Sequence, residues 1–183
     1  MLKPTKDIFP EYEIGKWTYG VPEIKYDYKG SKLKIGSFCS IAGGVQIFLG
    51  GNHQTEWVTT YPFYVYWQSA QHIPSPPHSK GDVIISNDVW IGENVTILSG
   101  VSIGNGAVIG ANTVVTKNID DYAIAVGNPA RIIKKRFDEN IIERLLKIQW
   151  WDWNDQIIEK FLPVMLSQDI QKFLALAENF LAN

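Results

Sequence analysis

A six-residue step governs the middle of this chain. Ile85, Ile91, Ile97, Ile103, Ile109 and Val115 recur at that interval, and four positions after each stands Val89, Val95, Val101, Ala107, Thr113 or Ile119. Upstream, Ile35, Ile41 and Ile47 keep the same step, with Cys39 and Val45 at the fourth offset and a shorter trace at Ile14-Gly15. An amphipathic helix repeats every three to four residues and a half-buried strand every two, so six fits neither. It fits a short strand and a turn, repeated, with the aliphatics pointing into one shared interior. Gly92, Gly104 and Gly110 and Asn87, Asn94, Asn105 and Asn112 fall between the aliphatics, where turns need permissive backbone. Six hexads in unbroken succession argue against a set of separate hairpins and predict a parallel β-helix. Its coils stack about 4.8 Å apart as a hydrogen-bonded prism.

The rhythm breaks once. Residues 52–82 are irregular, carry His53, Glu56 and several aromatics, and hold Pro74-Ser75-Pro76-Pro77, which no strand interior accepts. A loop this long inside a compact domain is usually functional, so the prism reads as scaffold and the excursion as its working part. The period ends at Gly127-Asn128-Pro129-Ala130. Helical spacing then predicts a helix over 138–148, with Asp138 as N-cap, and two more over 155–166 and 169–181. Trp150, Trp151 and Trp153, at the first helix junction, read as a packing cluster. The expected division is a β-helix domain over 1–135, with its loop 52–82, and a helical extension over 136–183.

Composition narrows the function classes. Of 183 residues, 45% are hydrophobic and 20% charged, and the formal net charge is −2, which does not suggest a general nucleic-acid binder. No apolar run is long enough to span a bilayer, and the first fifteen residues lack the apolar core of a signal peptide, so a cytoplasmic location is expected. The single cysteine excludes an internal disulfide and a cysteine-rich zinc site. Cys39 takes an offset held elsewhere by Val or Ala, so it reads as core and not as a nucleophile.

Five segments carry a resemblance: IGSFCSIAGGVQI, GGNHQTEWVTTYPF, the hexad run from Gly81 to Ile119, YAIAVGNPARIIKKRF and IQWWDW. Together they resemble the hexapeptide-repeat xenobiotic acetyltransferases, which include type B chloramphenicol, streptogramin and polysaccharide-locus O-acetyltransferases. The resemblance implies a mainly β fold, a left-handed parallel β-helix with a C-terminal helical segment. It implies a homotrimer with acetyl-CoA between neighbouring prisms, no metal, and an excursion-loop histidine, here His53, as general base. Gly110 and Ala111 would line the pantetheine arm, Thr116 and Lys117 the adenine end, Trp90 the thiol end, and Tyr19 the acceptor side. The chain departs from the antibiotic-modifying members between Gly20 and Lys32, where the segment that helps wall their acceptor pocket is longer. That leans toward an open site, such as one for a sugar of surface-polysaccharide synthesis.

The residues support this chemistry on their own terms. Neutral imidazole can take a hydroxyl proton near cellular pH, and Gly50-Gly51-Asn52 gives His53 a flexible approach. Glu56 could accept from the imidazole and fix its tautomer. Arg131 and Lys134, in the run ARIIKKR, could reach nucleotide phosphates. Trp57 and Tyr61-Pro62-Phe63 read as bracing for the loop. Antibiotic O-acetylation and amino-sugar N-acetylation remain alternatives within the enzyme class. Two other classes are weighed: a β-helix carbonic anhydrase, which needs three histidines converging on zinc, and a purely structural β-helix. His72 and His78 sit in the proline-rich loop instead of on coil turns.

Overall fold

The computed structural model describes residues 3–27, 30–75 and 78–182; Pro76 and Pro77 of the proline-rich loop lie outside them. The described residues fall into two compact units, divided between Ile133 and Lys134. In the first unit a short helix, α1 (Thr5–Ile8), precedes the strands. These are β1 (Glu13–Ile14), β2 (Glu23–Lys25), β3 (Leu33–Ile35), β4 (Ser40–Ile41) and β5 (Gln46–Phe48). The excursion follows, with one turn of helix, α2 (Phe63–Tyr66). Then come β6 (Val83–Ile85), β7 (Trp90–Ile91), β8 (Thr96–Ile97), β9 (Ser102–Ile103) and β10 (Val108–Ile109). The last are β11 (Val114–Val115), β12 (Ala123–Val126) and β13 (Arg131–Lys135), whose final two residues fall beyond the division.

These strands form three sheets around one core. Sheet 1 runs β1-β3-β6-β9, sheet 2 runs β4-β7-β10-β12-β13, and sheet 3 runs β2-β5-β8-β11. The chain visits them in the fixed order one, two, three, so a regular coil is three hexads long. Ile85 pairs with Ile103, Ile91 with Ile109 and Ile97 with Val115, all parallel. Across the excursion the partners are Ile35 with Ile85, Ile41 with Ile91 and Ile47 with Ile97, so the stack resumes in register. Both inward series are buried: Ile91, Ile97, Ile103 and Ile109 on one offset, Val89, Val95, Ala107 and Thr113 on the other.

The last coil is shorter than the rest. Ile119 bridges Ile103, and Ala125 pairs with Ile109, each sixteen residues away instead of eighteen. Ile119 therefore takes the lead position of its hexad, and not the fourth offset that counting from Val115 suggests.

The turns divide the work between conformation and hydrogen bonding. At the corner between sheets 1 and 2, Trp17, Phe38, Asp88, Gly106 and Tyr122 all have φ between 55° and 64°. Asn94 and Asn112 take the same left-handed backbone at the next corner, as expected for asparagine turns. Asn87 and Asn105 do not. They form a ladder in which Asn87 Oδ1 accepts from Ser37 N at 2.8 Å, Asn105 Oδ1 from Asn87 Nδ2 at 3.0 Å, and Asp121 Oδ1 from Asn105 Nδ2 at 2.9 Å. Between coils the backbones approach closely: a Cβ at Gly92 would stand 2.7 Å from Ala111 N.

The second unit is helical. Its helices are α3 (Glu139–Ile148), α4 (Asp155–Met165) and α5 (Ile170–Ala182), close to the ranges helical spacing predicts. Asp138 caps α3, its Oδ1 accepting from Ile141 N at 2.9 Å, and Asn154 caps α4 in the same way. The tryptophan cluster packs within this unit, where the Trp153 ring lies 4.8 Å from Phe161 and 5.6 Å from Phe180. Arg144 reaches Glu178 with Nε at 2.6 Å and Nη2 at 2.8 Å.

Candidate active site

Strand alternation decides which side chains leave the prism. On sheet 2 the register places Ser40 beside Trp90, Trp90 beside Val108, and Val108 beside Ile124, with Tyr19 bridged to Ser40. Ile41, Ile91, Ile109 and Ala125 point inward between them, so this first row points outward. Tyr19 is 41% exposed and Trp90 58%. Two expected site residues, Tyr19 and Trp90, thus share one row of one face. The outward positions beyond the buried row are small at Ala42, Gly92 and Gly110, followed by Val126. This lane beside the indole lacks side-chain bulk.

Other expected cofactor residues lie elsewhere on the prism. Ala111 is exposed at the corner where sheet 2 passes to sheet 3, while Thr116 and Lys117 are exposed where sheet 3 passes to sheet 1. Arg131 opens β13, with an exposed side chain. Lys134 falls on the far side of the division, in the second unit. A cleft of about 410 Å³ on sheet 1, lined by Tyr12, Asp27, Lys32, Lys34 and Asp82 among others, contains none of the expected residues.

The excursion leaves from the corner between sheets 3 and 1, opposite sheet 2. Gly51 has φ +85°, and a Cβ there would lie 2.7 Å from the Tyr26 ring, so only glycine fits this approach. His53 follows, exposed. Its Nδ1 lies 2.7 Å from the carbonyl oxygen of Thr60. A carbonyl only accepts, so Nδ1 carries the proton and, in the neutral ring, Nε2 keeps its lone pair. The loop aromatics hold this turn together: Tyr61 stacks edge-on to Phe63 at 4.8 Å, Phe63 to Trp67 at 4.9 Å, and Trp57 to Tyr64 at 6.4 Å. The bracing expected of Trp57 and Tyr61 to Phe63 is therefore internal to the excursion.

Glu56 is exposed, and among the described residues it makes no hydrogen bond to His53. The tautomer-fixing contact expected from its carboxylate comes instead from a backbone carbonyl four residues further on. The three histidines do not converge. His53 turns to Thr60, whereas His78 meets Ser75 Oγ at 2.7 Å and the Asn52 carbonyl at 3.3 Å, and no three ligating side chains cluster among the described residues. Cys39 is fully buried, its Sγ 3.0 Å from the Ser86 carbonyl, and burial pushes its thiol up to about 11. It is protonated core at neutral pH, not a nucleophile.

Known proteins resemble this chain in sequence and in fold. Residues 82–117 match the family model Bacterial transferase hexapeptide (six repeats). The chain is 46% identical over 150 residues to a probable macrolide acetyltransferase of Lysinibacillus sphaericus, covering 80% of this chain and 83% of that one. It is 40% identical to a chloramphenicol acetyltransferase of Agrobacterium fabrum, covering 79% and 71%. Among solved structures, a polysialic acid O-acetyltransferase is 36% identical with a TM-score of 0.53, covering 68% of this chain and 53% of that one. A galactoside acetyltransferase in complex with coenzyme A is 28% identical with a TM-score of 0.51, covering 69% and 56%. The chain thus spans little more than half of these solved chains. It belongs to the hexapeptide-repeat acetyltransferases of the xenobiotic type. It is an acyltransferase, and among the described residues no helix is long and apolar enough to cross a membrane.

Proposed function

We propose that this enzyme moves the acetyl group of acetyl-CoA directly to a hydroxyl of a sugar, with His53 as general base. The observation that carries this reading is the 2.7 Å contact from His53 Nδ1 to the Thr60 carbonyl, which leaves Nε2 as a free acceptor on an exposed loop. In the reaction Nε2 takes the acceptor hydroxyl proton as its oxygen attacks the thioester carbonyl. The tetrahedral intermediate collapses with cleavage of the C–S bond. The imidazolium returns the proton to the departing thiolate, so no acyl-enzyme forms and Cys39 takes no part.

The lane of Ala42, Gly92 and Gly110 beside Trp90 suits a thin pantetheine arm, with Ala111 at its edge. Thr116 and Lys117 serve the adenine end, and Arg131 the phosphates. The His53 loop leaves the corner opposite the Trp90 face, which favours a site shared between copies: a homotrimer of left-handed prisms in which one subunit offers the face and its neighbour the loop. Tyr19, in the Trp90 row, then stands on the acceptor side. Glu56 stays near the base as a loop carboxylate. The cytoplasm, where acetyl-CoA is made, is the compartment this reading requires.

The sugar assignment rests on the first coil. Ile14 pairs with Ile35, twenty-one residues on, so that coil exceeds eighteen by only three, which favours an open acceptor side. The names of the macrolide and chloramphenicol relatives favour a second reading, an antibiotic hydroxyl. A transfer screen over sugars, amino sugars and these antibiotics separates the two. His53→Ala should lower kcat by about 10² to 10⁴-fold with acetyl-CoA affinity nearly unchanged. Near-normal turnover in that variant removes the base assignment.

A further inference from the structure

We infer that Ser99 is a positioning residue for His53, an inference that rests on the general-base reading above. Ser99 lies in the turn between β8 and β9 and is 6% exposed. Its Oγ accepts from Asn52 Nδ2 at 3.0 Å and from the backbone N–H of Lys80 at 3.2 Å. Asn52 begins the excursion and Lys80 stands near its end. One buried hydroxyl on the prism, using both lone pairs, therefore fastens both ends of the loop.

Asn52 is held from other directions as well. Its N–H donates to the His78 carbonyl at 2.9 Å, and its own carbonyl lies 3.3 Å from His78 Nδ1. Near the same turn, Gly100 N donates to the Gly81 carbonyl at 3.0 Å. The residue next in the chain to Asn52 is His53. A backbone pinned at its amide, its carbonyl and its side chain transmits its position to the following Cα through one planar peptide. His53 is otherwise exposed and, among the described residues, anchored by the Thr60 carbonyl, so the Ser99 fastening sets where that anchored turn sits over the prism. Among the described residues Ser99 makes no hydrogen bond to His53, so it acts on the histidine through the two loop ends it holds, Asn52 next to His53 and Lys80 at the far end.

The test compares Ser99→Ala, Ser99→Thr and Asn52→Ala, each in the native protein and in a His53→Ala background. Displacing a catalytic group by about 1 Å can cost about 10²-fold, so Ser99→Ala and Asn52→Ala should each lower kcat by roughly that factor with the KM for acetyl-CoA unchanged. Ser99→Thr keeps the hydroxyl and should restore kcat. Joining Asn52→Ala to Ser99→Ala should add little to the loss from Ser99→Ala, because that change has already cut the Asn52 link. In the His53→Ala background neither should lower the residual rate further. Full kcat in Ser99→Ala, with His53→Ala inactive, overturns this inference and leaves the base intact. An equal loss in both backgrounds overturns it too, since the damage is then general. Normal turnover in His53→Ala removes the base and the inference together. If Ser99→Ala does not fold, Asn52→Ala decides, because it leaves the prism turn intact.

Discussion

Cys39 shows how one side chain ties chemistry to stability. Its thiol, ordinarily near 9.0, is pushed to about 11 by burial, with the Ser86 carbonyl beside its sulfur. The unfolded chain releases this proton near pH 9 and the folded chain holds it until about pH 11. Over that interval the folded state binds more protons, so stability falls as pH rises, by roughly 2 to 3 kcal/mol in all. Cys39→Val should retain most transferase activity and lose this part of the alkaline decline, measured as urea stability at about pH 8 and about pH 11. An acetyl-cysteine adduct trapped during turnover would contradict direct transfer. His53 was legible as a candidate because an imidazole after Gly-Gly-Asn interrupts a regular pattern. Its partner was not, because the Thr60 carbonyl belongs to the backbone and any residue could supply it.

At the scale of elements, the hexads announce the prism because every sixth residue must fill the same interior, as the buried Ile91, Ile97, Ile103 and Ile109 show. The shortened last coil escapes that reading for a physical reason: both inward offsets take aliphatics, so Ile119 fits either until the Ile103 bridge assigns it. The Asn87–Asn105–Asp121 ladder and the Ser99 fastening were equally hidden, since hydrogen bonds between distant turns leave no period. The helical unit carries its own pH dependence. Arg144, hydrogen-bonded to Glu178, holds that carboxyl below the ordinary carboxylate range. The stabilisation is present above the ordinary carboxylate pKa and is lost as pH falls through the depressed folded value. Glu178→Gln should flatten the acid limb of helix melting followed by circular dichroism. An acid limb as steep as in the native protein would show that the pair contributes nothing there.

At the scale of the whole molecule, one protomer holds the parts of the proposed site on opposite sides. The Tyr19–Trp90 row occupies sheet 2, and the His53 loop leaves from the corner between sheets 3 and 1. If neighbouring copies complete each other, a charge on the shared face breaks assembly and catalysis together. Trp90→Glu should reduce both the trimer fraction in sedimentation velocity and the rate of transfer. Val95, fully buried in the core, would report only on folding. An active monomer of the native protein would defeat the shared site while leaving the acetyltransferase class intact.

The excursion interrupts the sequence without disturbing the stack. Ile35, Ile41 and Ile47 meet Ile85, Ile91 and Ile97 as though the intervening residues were absent. Heredity can therefore rewrite this segment as a replaceable cartridge, gaining or losing residues while the spool beneath keeps its winding. A change in the length of the excursion then needs no change in the winding of the spool.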